Sequence, residues 1–117
     1  MYTSEIQRNG KKIIYTRFSH LSEEQMIAAI KEQFEVVKAS PGKVVTLADF
    51  TNTAVSNDFM TVVKKLGKEM AHKIDKQAVL GITGLKKVLL SGYNAFTSNP
   101  AHPFSTEEEA INFLTKA

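Results

Sequence analysis

Two runs of β-prone residues, "KVVTLADF" (Lys43–Phe50) and "QAVLGIT" (Gln77–Thr83), are apolar almost without interruption, and the chain between them has helical periodicity. A strand covered on one face alternates apolar and polar residues. One that is apolar on both sides needs cover on both faces, which is the situation of strands in a parallel sheet. In the intervening "SNDFMTVVKKLGKEMAHKIDK", Phe59, Val63, Leu66, Met70 and Ile74 recur at helical spacing, and Ser56 is placed to cap the helix. Strand, helix and strand in this order read as a parallel crossover, so the sequence predicts an α/β domain.

The flanking segments extend the pattern. "RNGKK" separates two strand-like runs, Tyr2–Gln7 and Lys12–Phe18. Asn-Gly suits the type I′ turn of a β-hairpin, which needs positive φ at both central positions. In the second run Ile14, Thr16 and Phe18 share one face, and Ile13, Tyr15 and Arg17 the other. "LSEEQMIAAIKEQFEVVKASPG" predicts a helix, with a Ser22/Gln25 capping box, a Leu21–Met26 staple, a stripe of Met26, Ile27, Ile30, Phe34 and Val37, and a stop at Pro41-Gly42. "GLKKVLLSGYNAF" predicts a third helix capped by Thr83. "AHPF" predicts a short edge strand, since Pro103 cannot donate to a ladder, and "STEEEAINFLTK" a final helix with a Ser105/Glu108 capping box. The expected fold is an N-terminal β-hairpin followed by alternating helices and strands. It forms a mixed, partly parallel sheet of four or five strands with about four helices, in one domain over residues 1–117.

Composition narrows the function classes. The chain has no cysteine, which excludes disulfides, thiolate metal sites and a cysteine nucleophile. A net charge of +3 is too small to point to nucleic acid, and no aromatics are interleaved with the lysines to stack bases. No segment approaches the roughly 20 apolar residues of a membrane span. The N-terminal "MYTSEIQRNGKK" lacks the apolar run of a signal peptide. A cytoplasmic protein without stable membrane insertion is therefore the expectation.

The distal part of the chain also carries a family resemblance. "VVTLADFTNT", a basic helix, "KQAVLGITGLKKVLLSGYNAF" and "HPFSTEEEAINFL", together roughly residues 35–117, resemble the SpoIIAA-like proteins, small bacterial domains related in fold to STAS domains. The resemblance implies a STAS-like arrangement of sheet and helices. In STAS anti-sigma-factor antagonists an Asp-Ser-Ser-Gly-type motif just after the central strand carries a serine phosphorylated by a partner kinase. The equivalent stretch here is "TAVSNDF": Ser56 falls near the matching place, with no acidic residue before it and no glycine after it.

Three groups of residues are candidate sites. Asp49, Thr51, Asn52, Thr53 and Ser56 follow a strand expected at the centre of the sheet, and open α/β sheets bind ligands beyond the carboxyl ends of their strands. Read without a ligand, the same stretch is a polar turn feeding a capped helix. Thr83, Gly84, Lys86 and Lys87 combine a helix start with positive charge, an arrangement that favours an anion. Their stretch "AVLGITGLKKVLL" is no P-loop, because two residues rather than four separate its glycines and no Ser or Thr follows the lysines. The plainer reading has Gly84 admitting close strand–helix contact and solvated lysines. Lys64, Lys65 and Lys68 lie largely opposite the apolar stripe of their helix and offer a basic face to an acidic protein or an anionic surface.

His20, His72 and His102 show no metal-ligand spacing, and no Gly-x-Ser-x-Gly elbow occurs. Leu89, Leu90, Tyr93 and Phe96 cannot all point one way on a helix; core packing alone is the plainer reading, and an exposed part of that face forming an interface, as in a homodimer, is the alternative. The leading expectation is a non-catalytic STAS-like regulatory or protein-interaction module that needs no cofactor. The alternative is a small-molecule or lipid carrier, since STAS-like folds are similar in outline to CRAL-TRIO domains and Met and Phe side chains can line an apolar pocket.

Overall fold

The computed structural model describes every residue except Met1, Phe96, Ser98 and Ala117. The chain runs β1 (Thr3–Arg8), β2 (Lys11–Arg17), α1 (Glu23–Ala39), β3 (Val44–Asp49), α2 (Asn57–Met70), a 3-10 turn (Ala71–Lys73), β4 (Ile74–Leu80), α3 (Leu85–Asn94), β5 (Ala101–Phe104) and α4 (Glu107–Thr115). The five strands form one sheet in the order β1-β2-β3-β4-β5. The β1/β2 pair is antiparallel and every other pair parallel.

Local chemistry explains most of these elements. Asn9 (φ 53°) and Gly10 (φ 77°) supply the two positive φ angles of the hairpin turn. Ser22 and Gln25 form the expected capping box on α1, at 3.2 and 3.0 Å. Ser56 Oγ accepts the Phe59 N–H at 3.1 Å and so caps α2. Two boundaries differ from expectation. Ile74 opens β4 instead of closing the α2 stripe, because the helix ends at Met70 and the 3-10 turn Ala71–Lys73 separates the two. The last helix is capped by Thr106 with Glu109, at 3.2 Å, not by Ser105 with Glu108. "STEEEA" offers both registers, and only the point where β5 releases the chain chooses between them.

Repeated right-handed crossovers in one direction along a sheet keep the crossover helices on one face. Here β2, β3, β4 and β5 lie in sequence order, and α1, α2 and α3 cover the same face, around Phe18, Met26, Ala29, Phe59 and Tyr93. Helix α4, which follows β5, covers the other face, over Ile13, Tyr15, Leu47 and Leu80. The second strand is therefore covered on both faces: Ile13, Ile14, Tyr15 and Thr16 are all buried. Among the described residues, no helix is long and apolar enough to cross a membrane.

Candidate functional site

The carboxyl ends of β3 and β4 lie side by side in the middle of the sheet, joined by Phe50 N–H to the Leu80 carbonyl at 2.9 Å. The chain then leaves β3 through a turn closed by its own polar groups. Asp49 Oδ1 accepts the Thr51 N–H at 2.9 Å and the Thr51 hydroxyl at 2.6 Å. The Thr53 hydroxyl donates to the Phe50 carbonyl at 2.7 Å, and Asn52 takes φ 56°. The residue that permits this turn is Gly81. Its φ is +76°, and a Cβ built there would lie 2.4 Å from the Thr51 nitrogen and 2.6 Å from the Thr51 Cα. Gly84, expected to serve close approach, has nothing within 4 Å of such an atom. It stands instead as the N-cap of α3 at φ 58° and ψ −131°, so α3 begins without a side-chain cap and Thr83 does not cap it.

The candidate residues of the two loops come together in part. Asn52, Thr53, Val55, Thr83 and Lys86 line one groove between the β3–α2 loop and the start of α3. Lys86 Nζ crosses it to donate to the Phe50 carbonyl at 2.9 Å. Asp49 and Thr51 lie at the root of the turn, bound to each other. Ser56 is half-buried, and its hydroxyl oxygen is engaged in capping. Lys87 turns away from this groove and lines another with Leu90, Asn94, Phe104 and Glu109, since adjacent residues of a helix point about 100° apart. The backbone N–H groups of Lys86 and Lys87 bond the Thr83 and Gly84 carbonyls at 3.1 and 3.0 Å. Lys64, Lys65 and Lys68 are exposed on α2.

Beneath α3 lies an apolar cavity of about 80 Å³, lined by residues that include Phe18, Phe50, Val55, Phe59, Val63 and Lys86. Phe18 stacks on Phe50 with ring centroids 4.6 Å apart, and Phe59 meets both edge-on, at 5.7 and 6.0 Å. An apolar pocket lined in part by phenylalanine was one of the expectations, but its place and this aromatic group were not legible beforehand, since the three phenylalanines lie far apart in the sequence. Helix α3 itself is thinly buried. Tyr93 is its one buried residue among those described, and it lies so close to α2 that a Cβ at Gly67 would fall 2.8 Å from its hydroxyl oxygen. Leu85 and Val88 are 70% and 66% exposed. The spare apolar face of α3 is thus carried by Leu85 and Val88, whereas Leu89 and Leu90 are half-buried and Phe96 lies outside the described residues.

On the opposite face, Tyr15 is buried under α4 with the Arg17 guanidinium 4.3 Å from its ring centre. Burial, and then a hydrogen bond and repulsion from Glu107, push its hydroxyl pKa well above the usual tyrosine range. Among the described residues no group of three His, Asp or Glu side chains is arranged to hold a metal ion.

Sheet order, crossover helices on one face and a lone helix on the other define a mixed α/β domain of the SpoIIAA-like type. A crystal structure of an uncharacterized DUF3478-family protein with a SpoIIAA-like fold, from Shewanella loihica, superposes with a TM-score of 0.63 over 96% of this chain and 91% of that one, at 18% identity. No protein-family model matches the sequence, and no curated protein is similar enough in sequence to count as a relative.

Proposed function

We propose that the protein is a non-catalytic STAS-like interaction module. Its partner is a protein that covers the outer face of α3 and the adjoining end of α2. The observation that carries this reading is the exposure of Leu85 and Val88, side by side one helical turn apart, next to the β3–α2 loop. Large apolar side chains held in water beside one another are a feature of interaction surfaces. Two further points support it. The hydroxyls and carboxylate after β3 are occupied with one another and with the backbone, an arrangement that shapes a loop more than it readies a nucleophile. Lys64, Lys65 and Lys68 on α2 offer positive charge to an acidic partner. A second copy of the chain is the alternative occupant.

A photocrosslinking residue placed at position 88, in cells of the organism that encodes the protein, tests the reading. A discrete heterologous adduct is expected, absent when the crosslinker sits at Lys38 on the far end of α1 and absent when Leu85→Ser is introduced alongside. An adduct with the mass of two copies shows that α3 pairs with itself. Turnover of phosphoesters or acyl esters by purified protein, abolished by Ser56→Ala, would show that the module is an enzyme.

A further inference from the structure

The chain leaves β4 and β5 towards opposite faces of the sheet. The two strands end level, with Leu80 paired to Phe104. From β4 the chain enters α3, on the face that holds Phe59 and Tyr93, and from β5 it enters α4, over Tyr15 and Leu47. Where neighbouring parallel strands send their chains to opposite sides, a crevice opens beyond their carboxyl ends, and α/β sheets bind ligands in such crevices. Here it is an open groove of about 600 Å³ between α3, the end of β5 and the first turn of α4. That is within the range of small-molecule sites, roughly 300–1,000 Å³. Ile82, Leu90 and Phe104, all half-buried, supply its apolar lining. Lys87 and Ser91, one turn apart, line it from α3, and Glu109 lines it from α4. The polar groups are largely uncommitted. Among the described residues the Lys87 ammonium has neither a hydrogen bond nor an ion pair, and the Ser91 hydroxyl has no partner. Glu109 accepts the Thr106 hydroxyl with Oε1 at 3.1 Å, which leaves Oε2 open. Two opposite charges thus share one groove without pairing with each other.

We propose that this crevice binds a small zwitterion with an apolar body, an aliphatic α-amino acid being the simplest case. The carboxylate of the ligand takes the Lys87 ammonium and the Ser91 hydroxyl. Its ammonium takes Glu109 Oε2, and its side chain lies against Leu90 and Phe104. The charge pattern selects this class. A simple anion gains Lys87 but also meets the Glu109 carboxylate, and a simple cation meets the reverse. Like charges brought together in a site count against the wrong ligand. A molecule carrying both charges satisfies both sides of the groove through charge-assisted hydrogen bonds, each roughly twice as strong as a neutral one. The apolar body adds affinity by taking half-exposed Leu90 and Phe104 surface out of water. No element has to move, because the groove is already open. The partner reading concerns Leu85 and Val88 on the outer face of α3, so either inference can fail without the other.

The test is a titration of isotopically labelled full-length protein, followed by amide NMR, with leucine, glycine, 4-methylpentanoate and 3-methylbutylamine. The last two are leucine without its ammonium and leucine without its carboxylate. Saturable shifts with leucine are expected at Lys87, Ser91, Phe104 and Glu109. Each single-charge analogue should bind about tenfold more weakly, through loss of a hydrogen bond between charged groups. Glycine should bind more weakly than leucine for want of apolar contact. Lys87→Met should weaken leucine about tenfold and leave it no better a ligand than 3-methylbutylamine. Glu109→Gln should do the same relative to 4-methylpentanoate, while its amide oxygen keeps the Thr106 bond and the α4 cap. Absence of saturable shifts with leucine overturns the proposal. So do equal affinities for leucine and either analogue, glycine binding as tightly as leucine, or undiminished binding by Lys87→Met or Glu109→Gln. Shifts centred on Phe18 and Phe59 also overturn it, since they place the ligand in the cavity under α3. Should a variant fail to fold, the comparison of ligands on the unaltered protein decides by itself.

Discussion

Replacing Gly81 by alanine should be the most damaging one-carbon change available where β3 and β4 end, and its cost can be worked from the geometry. Holding a non-glycine residue at φ +76° costs about 1–2 kcal/mol. The new Cβ would stand 2.4 and 2.6 Å from backbone atoms of Thr51 and 2.8 Å from the Phe50 carbonyl carbon, far inside ordinary contact, and backbone cannot rotate away as a side chain can. The β3 exit must therefore move by the better part of an ångström. That loosens the Phe50 N–H to Leu80 carbonyl bond, worth about 0.5–1.5 kcal/mol. The sum is about 1.5–3.5 kcal/mol, or a fall in melting temperature on the order of 10 °C for a domain of this size. Gly84→Ala is the matched control: it suffers backbone strain at φ +58° and meets nothing within 4 Å. Urea unfolding of both variants gives the two free energies, and hydrogen exchange at the Phe50 amide locates the damage. If Gly81→Ala loses no more stability than Gly84→Ala, and the Phe50 amide keeps its protection, the close approach at Gly81 is not what the position serves.

Two further expectations follow from the same geometry. Ser56→Ala should cost about 1 kcal/mol in urea unfolding through loss of the α2 cap, and Ser56→Asp should recover most of it, because aspartate also caps. Tyr15 titrates with a raised pKa, so the folded protein keeps a proton that the unfolded chain releases near pH ~10. Stability from this group is therefore complete below pH ~10 and drains away as pH rises above it. Unfolding free energy measured from pH ~8 upward should fall less steeply in Tyr15→Phe than in the unaltered protein, and parallel slopes would refute the assignment.

What could be read in advance divides along the range of the interactions. Asn9-Gly10, the Ser22/Gln25 box and the Ser56 cap are made within four residues of chain, and each has the expected form. The doubly apolar runs of β3 and β4 required cover on two faces, and that requirement produced the parallel sheet with helices on both sides. Contacts between segments distant in sequence were not legible. Gly81 and Gly84 look alike in "GITG", yet only Gly81 lies against Thr51, and that neighbour is thirty residues away in the chain. Lys86 and Lys87 are chemically identical, but helix rotation sends one to the Phe50 carbonyl and the other towards Glu109. Leu85, Val88, Leu89 and Leu90 have similar hydropathy, and which of them stays in water depends on how α3 leans on the sheet. Local propensity and periodicity are properties of a few adjacent residues, so the sequence by itself determined the elements, their order and the class of fold. A cavity, a shared groove or an exposed face depends on atoms brought together from several elements, and only tertiary packing decided those.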